Sequence, residues 1–396
     1  MGLDFLLAKS GVGDPIDRGC RMNMSGQRRF SPSRRSVLKG AGAAAIGSFS
    51  GLTVFSSSAR AETKLRMTLP WLPDSAYSYV YVAKNQGFWS KRGLQVEISR
   101  GNGSLTAAQA VHSGQFDAGV VPIAASLLLV SRGLDLVSLG MMDYNATMGV
   151  AVLDDSPIRT PKDLEGKTVG QTVSSSDAAF FPVFCELMKL DRSKINLVSL
   201  DANVRTRTLW ERKVDAITGF LNSILPASDA AGYKTRYFLY NNFGIKLYQD
   251  SAIVRSDFFR NNPRVCEAFV EGLLEGVLFH VTRPEDTLKI YLQEVKEMAM
   301  SATAEDFARI GIAVFIYSVL TEPGVAEHGL GWIDNAKVDG MIDLIMKYQA
   351  PPNAVRPVRE KFFHTAFAGR YRLTPPQWKA AQDYAKGIAA VASSSS

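Results

Sequence analysis

Short apolar runs alternate with longer amphipathic stretches along most of the chain downstream of residue 62. The runs, about four to six residues long and rich in Val, Ile and Leu, predict strands, whereas the stretches between them have the three-to-four-residue apolar spacing of helices. The first strand is predicted over residues 65–69 and ends at Pro70, and a helix with Asp74 as its N-cap is predicted over residues 75–86. Repeated alternation of this kind predicts parallel strands joined by right-handed crossovers.

The alternation runs through two series and then gives way to helices. The first series predicts strands at 65–69, 94–99, 118–121 and 134–139. The second series predicts strands at 148–153, 168–171, 195–199, 216–220, 236–240 and 252–255. The C-terminal region predicts helices at 264–282, 284–300, 304–320, 333–348 and 376–390.

This order predicts an α/β molecule with two lobes, which agrees with a length of 396 residues at about 100–200 residues per domain. The chain is expected to pass between the lobes near residues 143–148 and 250–255. The expected segments are lobe 1 at 62–147 and 253–392, lobe 2 at 148–252, and a disordered tail at 393–396.

The net charge of +7 is concentrated at the N-terminus. The first 60 residues hold nine Lys and Arg against three Asp, which leaves a net charge of +1 for the rest of the chain. Nucleic-acid binding needs a basic face on the folded domain. A nearly neutral body therefore argues against a nucleic-acid partner.

The basic N-terminus has the features of a bacterial export signal. Arg34 and Arg35 precede a short apolar stretch at 40–55, which ends at the A-x-A sequence of residues 59–61. The paired arginines resemble the twin-arginine type of signal, whose route carries folded proteins. The alternative, a membrane anchor, is disfavoured because the stretch is short and rich in Gly, Ala and Ser for a core of about 30 Å. We predict that residues 1–61 are an export signal with a dispensable N-terminal extension, and that the mature protein is periplasmic.

The sequence contains no recognisable catalytic or metal-binding motif. The four histidines are far apart, and Cys185 and Cys266 form no C-x-x-C pair. Neither a G-x-S-x-G elbow nor a P-loop is present. We therefore predict no metal, no cofactor and no catalytic residues. Both cysteines lie in apolar helical sequence, which favours buried free thiols and leaves a disulfide as the alternative.

Candidate ligand-binding residues in the first lobe follow its predicted strands, where open parallel sheets bind ligands. Trp71 comes after the first strand with Asp74 and Tyr77 nearby, and its ring can stack on a planar solute. Gly103 and Ser104 precede a helix, whose free N–H groups suit an anion. The plainer alternatives are packing for Trp71 and N-capping for the glycine turn.

The second lobe repeats this arrangement. Ser174, Ser175 and Ser176 lie at another predicted helix start, and the two helix starts together would let an anion bridge the lobes. Asn222 follows the strand at 216–220 and offers both a donor and an acceptor. Asn145 lies at the first crossing, where it either contacts the ligand or serves the hinge.

Several stretches together resemble one known family. They are LPWLP at 69–73, YVAKNQGFW at 81–89, VHSGQFDAG at 111–119, LEGKTVG at 164–170 and LWERKVDA at 209–216. In this order and spacing the chain is similar to the NMT1/THI5-like, nitrate/sulfonate/taurine-type solute-binding proteins of ABC importers. The resemblance implies a type II periplasmic binding protein fold: two lobes with parallel-rich sheets, joined by two crossing strands, and a helical C-terminal tail. It also implies capture by hinge closure.

The resemblance further implies a non-catalytic receptor for a small anionic or heteroaromatic solute. The solute would be similar to a pyrimidine precursor of thiamine, or to a sulfonate, nitrate or taurine. The expected partners are that solute and ABC permease subunits in the inner membrane, with the protein itself a monomer. Two alternatives stay open: an exported sensor module with the same fold, and an enzyme similar to the pyrimidine-precursor synthases of the family. Those synthases carry a cysteine-rich iron motif that this chain does not match.

Overall fold

The computed structural model of the protein describes residues 62–393. The predicted export signal at 1–61 and residues 394–396 of the predicted tail lie outside the described residues. The described chain forms two five-stranded sheets with helices packed on them, followed by a helical C-terminal region. The predicted α/β class with two lobes is confirmed.

The elements follow the predicted alternation. The strands are β1 (Thr63–Thr68), β2 (Leu94–Ser99), β3 (Ala118–Pro122), β4 (Val137–Met141), β5 (Met148–Leu153), β6 (Thr168–Gln171), β7 (Asn196–Ser199), β8 (Ala216–Phe220), β9 (Thr235–Leu239) and β10 (Asp250–Val254). The helices before the C-terminal region are α1 (Ser78–Asn85), α2 (Ser104–His112), α3 (Ile123–Ser131), α4 (Ser176–Leu187), α5 (Arg205–Trp210) and α6 (Leu221–Ala230). The C-terminal helices are α7 (Ser256–Asn261), α8 (Pro263–Thr282), α9 (Pro284–Glu294), α10 (Lys296–Ala299), α11 (Ala304–Leu320), α12 (Gly324–His328), α13 (Asn335–Tyr348), α14 (Arg359–Phe362) and α15 (Pro375–Ser393).

The first sheet has the strand order β2-β1-β3-β10-β4. β1 pairs in parallel with β2 and β3, whereas β10 lies antiparallel between β3 and β4. The chain therefore leaves this sheet after β4, builds the second sheet, and returns to the first through β10.

The second sheet repeats the plan with the order β7-β6-β8-β5-β9. β6 is parallel to β7 and β8, and β5 is antiparallel to β8 and β9. One antiparallel strand, β10 in the first sheet and β5 in the second, thus makes each sheet mixed rather than wholly parallel. Two segments, 142–147 and 244–249, connect the sheets, and we call them the crossing segments.

The helical C-terminal region packs against elements of both lobes. α11 packs on α6 and α15, and also on the 3-10 turn Ser75–Tyr77 that precedes α1. Ala313 of α11 and Ile388 of α15 share an apolar cluster with Ile217 and Leu221 of the second sheet's layer. Burial of this apolar surface holds the region against the second lobe as well as the first.

Trp89 shows how α8 is fixed against the first lobe. Its ring is buried and stacks on Phe269 with 6.1 Å between the ring centroids, while its Nε1 donates to the Phe269 carbonyl at 3.0 Å. A Cβ at Gly272 would lie 2.2 Å from the indole ring. Glycine at this helix position is therefore what allows the helix to approach the tryptophan so closely.

Cys185 and Cys266 are both free and buried. Burial raises the pKa of Cys185 to about 11 and that of Cys266 to about 12. Both groups therefore stay as unreactive thiols at neutral pH.

None of the helices within residues 62–393 combines the length and the hydropathy that a membrane span requires.

Candidate functional site

A small cavity lies between the two sheets, and we call it the cleft cavity. The first lobe lines it with Pro70, Trp71, Asp74, Tyr77, Ser104 and Pro122. The second lobe lines it with Ser175, Phe220, Asn222 and Ser223. Its walls come from the segments that follow the carboxyl ends of strands in both sheets, where open α/β sheets bind ligands. Six of the sequence-predicted site residues thus meet in one place: Trp71, Asp74, Tyr77, Ser104, Ser175 and Asn222.

The lobes are in contact over this cavity. The Ser176 N–H donates to Ser104 Oγ at 2.8 Å, and the Leu105 N–H donates to the Ser174 carbonyl at 3.0 Å. Ser174 Oγ donates to the carbonyl of Asn102 at 2.7 Å. The free space inside is about 10 Å³, about the room that one water molecule needs. In this conformation the cleft cavity therefore has no room for a solute larger than water.

Gly103, Ser174 and Ser176 lie in this contact between the lobes. A Cβ at Gly103 would lie 2.4 Å from the Ser174 carbonyl oxygen, and its φ of +148° is one that other residues rarely adopt. The helix-start donors expected to hold an anion are thus bonded to the opposite lobe in this conformation. Their contact with a ligand stays a prediction.

Asn145 does not line the cleft cavity. It lies on the first crossing segment, where its backbone N–H donates to Ser318 Oγ at 3.0 Å and its Oδ1 accepts from Asn241 Nδ2 at 3.0 Å. It lines a different cavity beside both crossing segments. Its contact with a ligand and its role at a hinge both stay predictions.

Arg205 is a site residue that the sequence analysis missed. It opens α5 in the second lobe, is only 1% exposed, and places its guanidinium 4.4 Å from the ring centroid of Trp71 in the first lobe. Its Nη2 donates to Ser223 Oγ at 3.1 Å, while Nε and Nη1 have no hydrogen-bond partner among the described residues. Its position after β7, at a helix start, was the available signal.

Two buried carboxyl groups face this guanidinium from opposite lobes. Asp74 accepts from the Ala76 N–H through Oδ1, and Ser175 Oγ contacts Oδ1 of Asp177. The Oδ2 atoms of both aspartates lack partners among the described residues. Burial lowers the pKa of Arg205, and the negative charges of Asp177 and Asp74 oppose that change. Donors and acceptors without partners among the described residues are therefore buried on interacting residues of both lobes.

Asp74 makes the stability of the protein depend on pH. Burial raises the pKa of Asp74 to about 8, above the value of about 3.9 for an aspartate in an unfolded chain. Between these values the folded state holds more protons than the unfolded state, so the contribution of Asp74 to the free energy of unfolding falls by about 1.4 kcal/mol per pH unit. This contribution is fully present below about pH 4 and is lost as the pH rises to about 8. We expect Asp74→Asn to remove this part of the decline in urea unfolding measured across that range.

Asp306→Asn, at an exposed position on α11, is the matched control and should follow the wild type. A shallower decline remains in Asp74→Asn because burial also raises the pKa of Asp143, to about 7, and that of Asp250. The same pH dependence in Asp74→Asn and wild type would contradict the assignment.

Among the described residues, no group of three or more His, Cys, Asp or Glu side chains is placed to hold a metal ion. The lining of the cleft cavity, with Trp71, Asp74 and Asn222, offers hydrogen bonding, charge and ring stacking.

Comparisons with known proteins agree with this architecture. The family model described as NMT1/THI5 like matches residues 75–287. The chain is 23% identical over 259 residues to the formylaminopyrimidine-binding protein of Halalkalibacterium halodurans, covering 61% of this chain and 77% of that one. It is 18% identical over 251 residues to the 4-amino-5-hydroxymethyl-2-methylpyrimidine phosphate synthase of Legionella pneumophila, covering 63% of this chain and 79% of that one.

A solved structure shows the same fold. The periplasmic aliphatic sulphonate binding protein SsuA from Escherichia coli superimposes with a TM-score of 0.56 at 15% identity, covering 77% of this chain and 98% of that chain. The family match extends over more than half of the chain and includes four of the five stretches on which the resemblance rested, all but the one at 69–73. This protein therefore belongs to the NMT1/THI5-like family and has the fold of the periplasmic binding proteins.

Proposed function

We propose that this protein is the periplasmic solute-binding component of an ABC-type importer. In this proposal it is exported by the twin-arginine-type signal at 1–61, acts as a monomer, and delivers its solute unchanged to permease subunits in the inner membrane. Family membership and fold support this function, since relatives with the same architecture bear the names of binding proteins.

The observation that carries the proposal is the cleft cavity. Both lobes contribute to it, and they enclose buried polar atoms that lack partners among the described residues. Buried polar groups are costly unless they are bonded. A solute that satisfies atoms from both lobes favours the closed form over the open one, which is capture by hinge closure.

The charges in the cleft cavity favour one class of solute. Arg205 interacts electrostatically with the carboxyl groups of Asp177 and Asp74, whose Oδ2 atoms lack partners among the described residues. A bare anion such as nitrate or a sulfonate has no hydrogen-bond donor to offer these oxygen atoms. A planar heteroaromatic solute offers N–H donors to the carboxyl groups and ring or carbonyl acceptors to Arg205. We therefore place a heteroaromatic solute, similar to a pyrimidine precursor of thiamine, ahead of a sulfonate-, nitrate- or taurine-like anion.

Titration of the full chain with pyrimidines, flavins, alkanesulfonates, nitrate and aromatic acids tests this function. We expect saturable one-to-one binding of a heteroaromatic compound, with a change in tryptophan fluorescence because Trp71 lines the cavity. Trp71→Phe should lose that change, whereas Trp378→Phe, in α15, should keep it. No binding across the whole panel, together with no small molecule in mass spectra of the purified protein, would count against the proposal.

The enzyme alternative rests on relatives that are named as pyrimidine phosphate synthases. Incubation with the bound solute separates the two functions, because a binding protein releases the solute unchanged and an enzyme does not. The sensor alternative has the same cavity. Neighbouring genes for a permease and an ATPase favour transport, and genes for signalling proteins favour sensing.

A further inference from the structure

We propose that a second cavity, beside the crossing segments, is a binding site for a small organic monoanion with an apolar body. This hinge cavity has a volume of about 440 Å³ and shares no lining residue with the cleft cavity. Sites for small molecules commonly measure about 300–1,000 Å³. The residues that carry the argument are Tyr144, Lys246, Tyr248, Glu322, Lys337 and Met341.

The charge of the hinge cavity favours an anion. Glu322 is buried, and its carboxylate accepts from Tyr248 Oη at 2.9 Å and from Lys337 Nζ at 2.7 Å. Lys246 lines the same cavity and has no hydrogen-bond or ion-pair partner among the described residues. Because Lys337 already neutralises the carboxylate of Glu322, the positive charge of Lys246 remains available to an anionic occupant.

The rest of the lining suits an apolar body. Leu247, Met341 and Leu344 present aliphatic surface, and Gly340 leaves open space in which a Cβ would meet no atom within 4 Å. Burial of apolar surface contributes about 25 cal/mol per Å². An aliphatic or aromatic acid with a single carboxylate matches this combination of one free cation and an apolar wall.

The position of the cavity couples its occupancy to the hinge. Tyr144 and Tyr248 lie on different crossing segments, and their rings meet edge to face with centroids 5.3 Å apart. The hydrogen bond from Asn241 to Asn145 joins the same two parts of the chain. The hinge cavity binds an occupant that contacts both segments with an affinity that depends on the hinge angle. By linkage, a solute that closes the cleft cavity also changes the affinity of the hinge cavity for its occupant.

Calorimetric titration of the full chain with octanoate tests the site. We expect saturable binding of octanoate, with octan-1-ol and octylammonium, which have the same chain length, at least tenfold weaker. Lys246→Glu should weaken octanoate binding at least tenfold, and its exposed position lets the variant fold. Equal binding of octan-1-ol, or unchanged binding by Lys246→Glu, would overturn the recognition of an anion.

Filling the cavity gives an independent test. Gly340→Phe should abolish octanoate binding because Gly340 lines the cavity. Gly387→Phe is the matched control, since both glycines are exposed within helices and have open space around them. Gly387 does not line the cavity, so this variant should keep octanoate binding. Trp71→Phe, which keeps an aromatic ring beside Arg205 across the lobes, should keep octanoate binding. Loss of binding in Trp71→Phe would place the acid in the cleft cavity, and equal losses in the two glycine variants would remove the hinge cavity as the site.

Discussion

Arg205→Met should weaken solute binding at least 100-fold. Methionine keeps the apolar contact with Trp71 but removes the two guanidinium nitrogens that have no partner among the described residues. Hydrogen bonds to charged groups contribute about 1.5–3 kcal/mol each, and about 1.4 kcal/mol corresponds to a tenfold change in affinity. Loss of two such bonds therefore predicts an effect of 100-fold or more, measured by titration with the solute found in the panel.

Arg207→Met is the matched control for this variant. Arg207 lies on the same helix but is exposed and pairs with Glu211, so its removal should leave the affinity within about twofold. The fold of Arg205→Met is checked by thermal unfolding, because removing one buried charge leaves the carboxyl groups beside it without that partner and lowers stability. A folded Arg205→Met that binds solute like the wild type would refute the role of the guanidinium.

Gly103→Ala should hold the molecule open. The new Cβ would lie 2.4 Å from the Ser174 carbonyl oxygen of the opposite lobe, a distance that the closed form does not tolerate. We expect a larger radius of gyration in small-angle X-ray scattering at saturating solute, and an affinity at least tenfold lower because closure contributes to binding.

Gly133→Ala separates the clash from backbone strain. Gly133 also has a positive φ, +91°, but a Cβ there would meet no atom within 4 Å. Because of the positive φ, Gly133→Ala should lose stability, as Gly103→Ala does. Because it introduces no clash, it should keep its affinity for the solute. A Gly103→Ala protein that scatters and binds like the wild type would show that the contact at Ser174 is not needed for closure.

Much of the site followed from one regularity of the sequence. Trp71, Ser104 and Asn222 each come soon after a predicted strand, and in parallel sheets the carboxyl ends of strands meet at one edge. Local patterns were enough to find them because the chain itself places these side chains at that edge. Asn145 was ambiguous because it lies in a connection between the lobes, and the structure places it at the cavity beside the crossing segments and not at the cleft cavity.

Arg205 was not predictable in this way. In the sequence it resembles Arg207, since both are arginines in a short amphipathic segment. Only the closed arrangement of the lobes buries one against Trp71 and leaves the other in solvent. Burial of a charged side chain depends on residues that are distant along the chain, and the local spacing of apolar residues does not predict those contacts.

The sequence by itself determined the alternation of strands and helices, the two lobes and the edge at which candidate site residues gather, because these depend on short-range spacing of apolar residues. The tertiary structure alone decided that β10 returns between β3 and β4, that the helix starts bond across the lobes, and which arginine and carboxyl groups are buried together. Several of these features arise from contacts between segments far apart along the chain, such as that of Ser104 with Ser176, which are 72 residues apart. Their energies depend on how the two lobes close, which no local segment specifies.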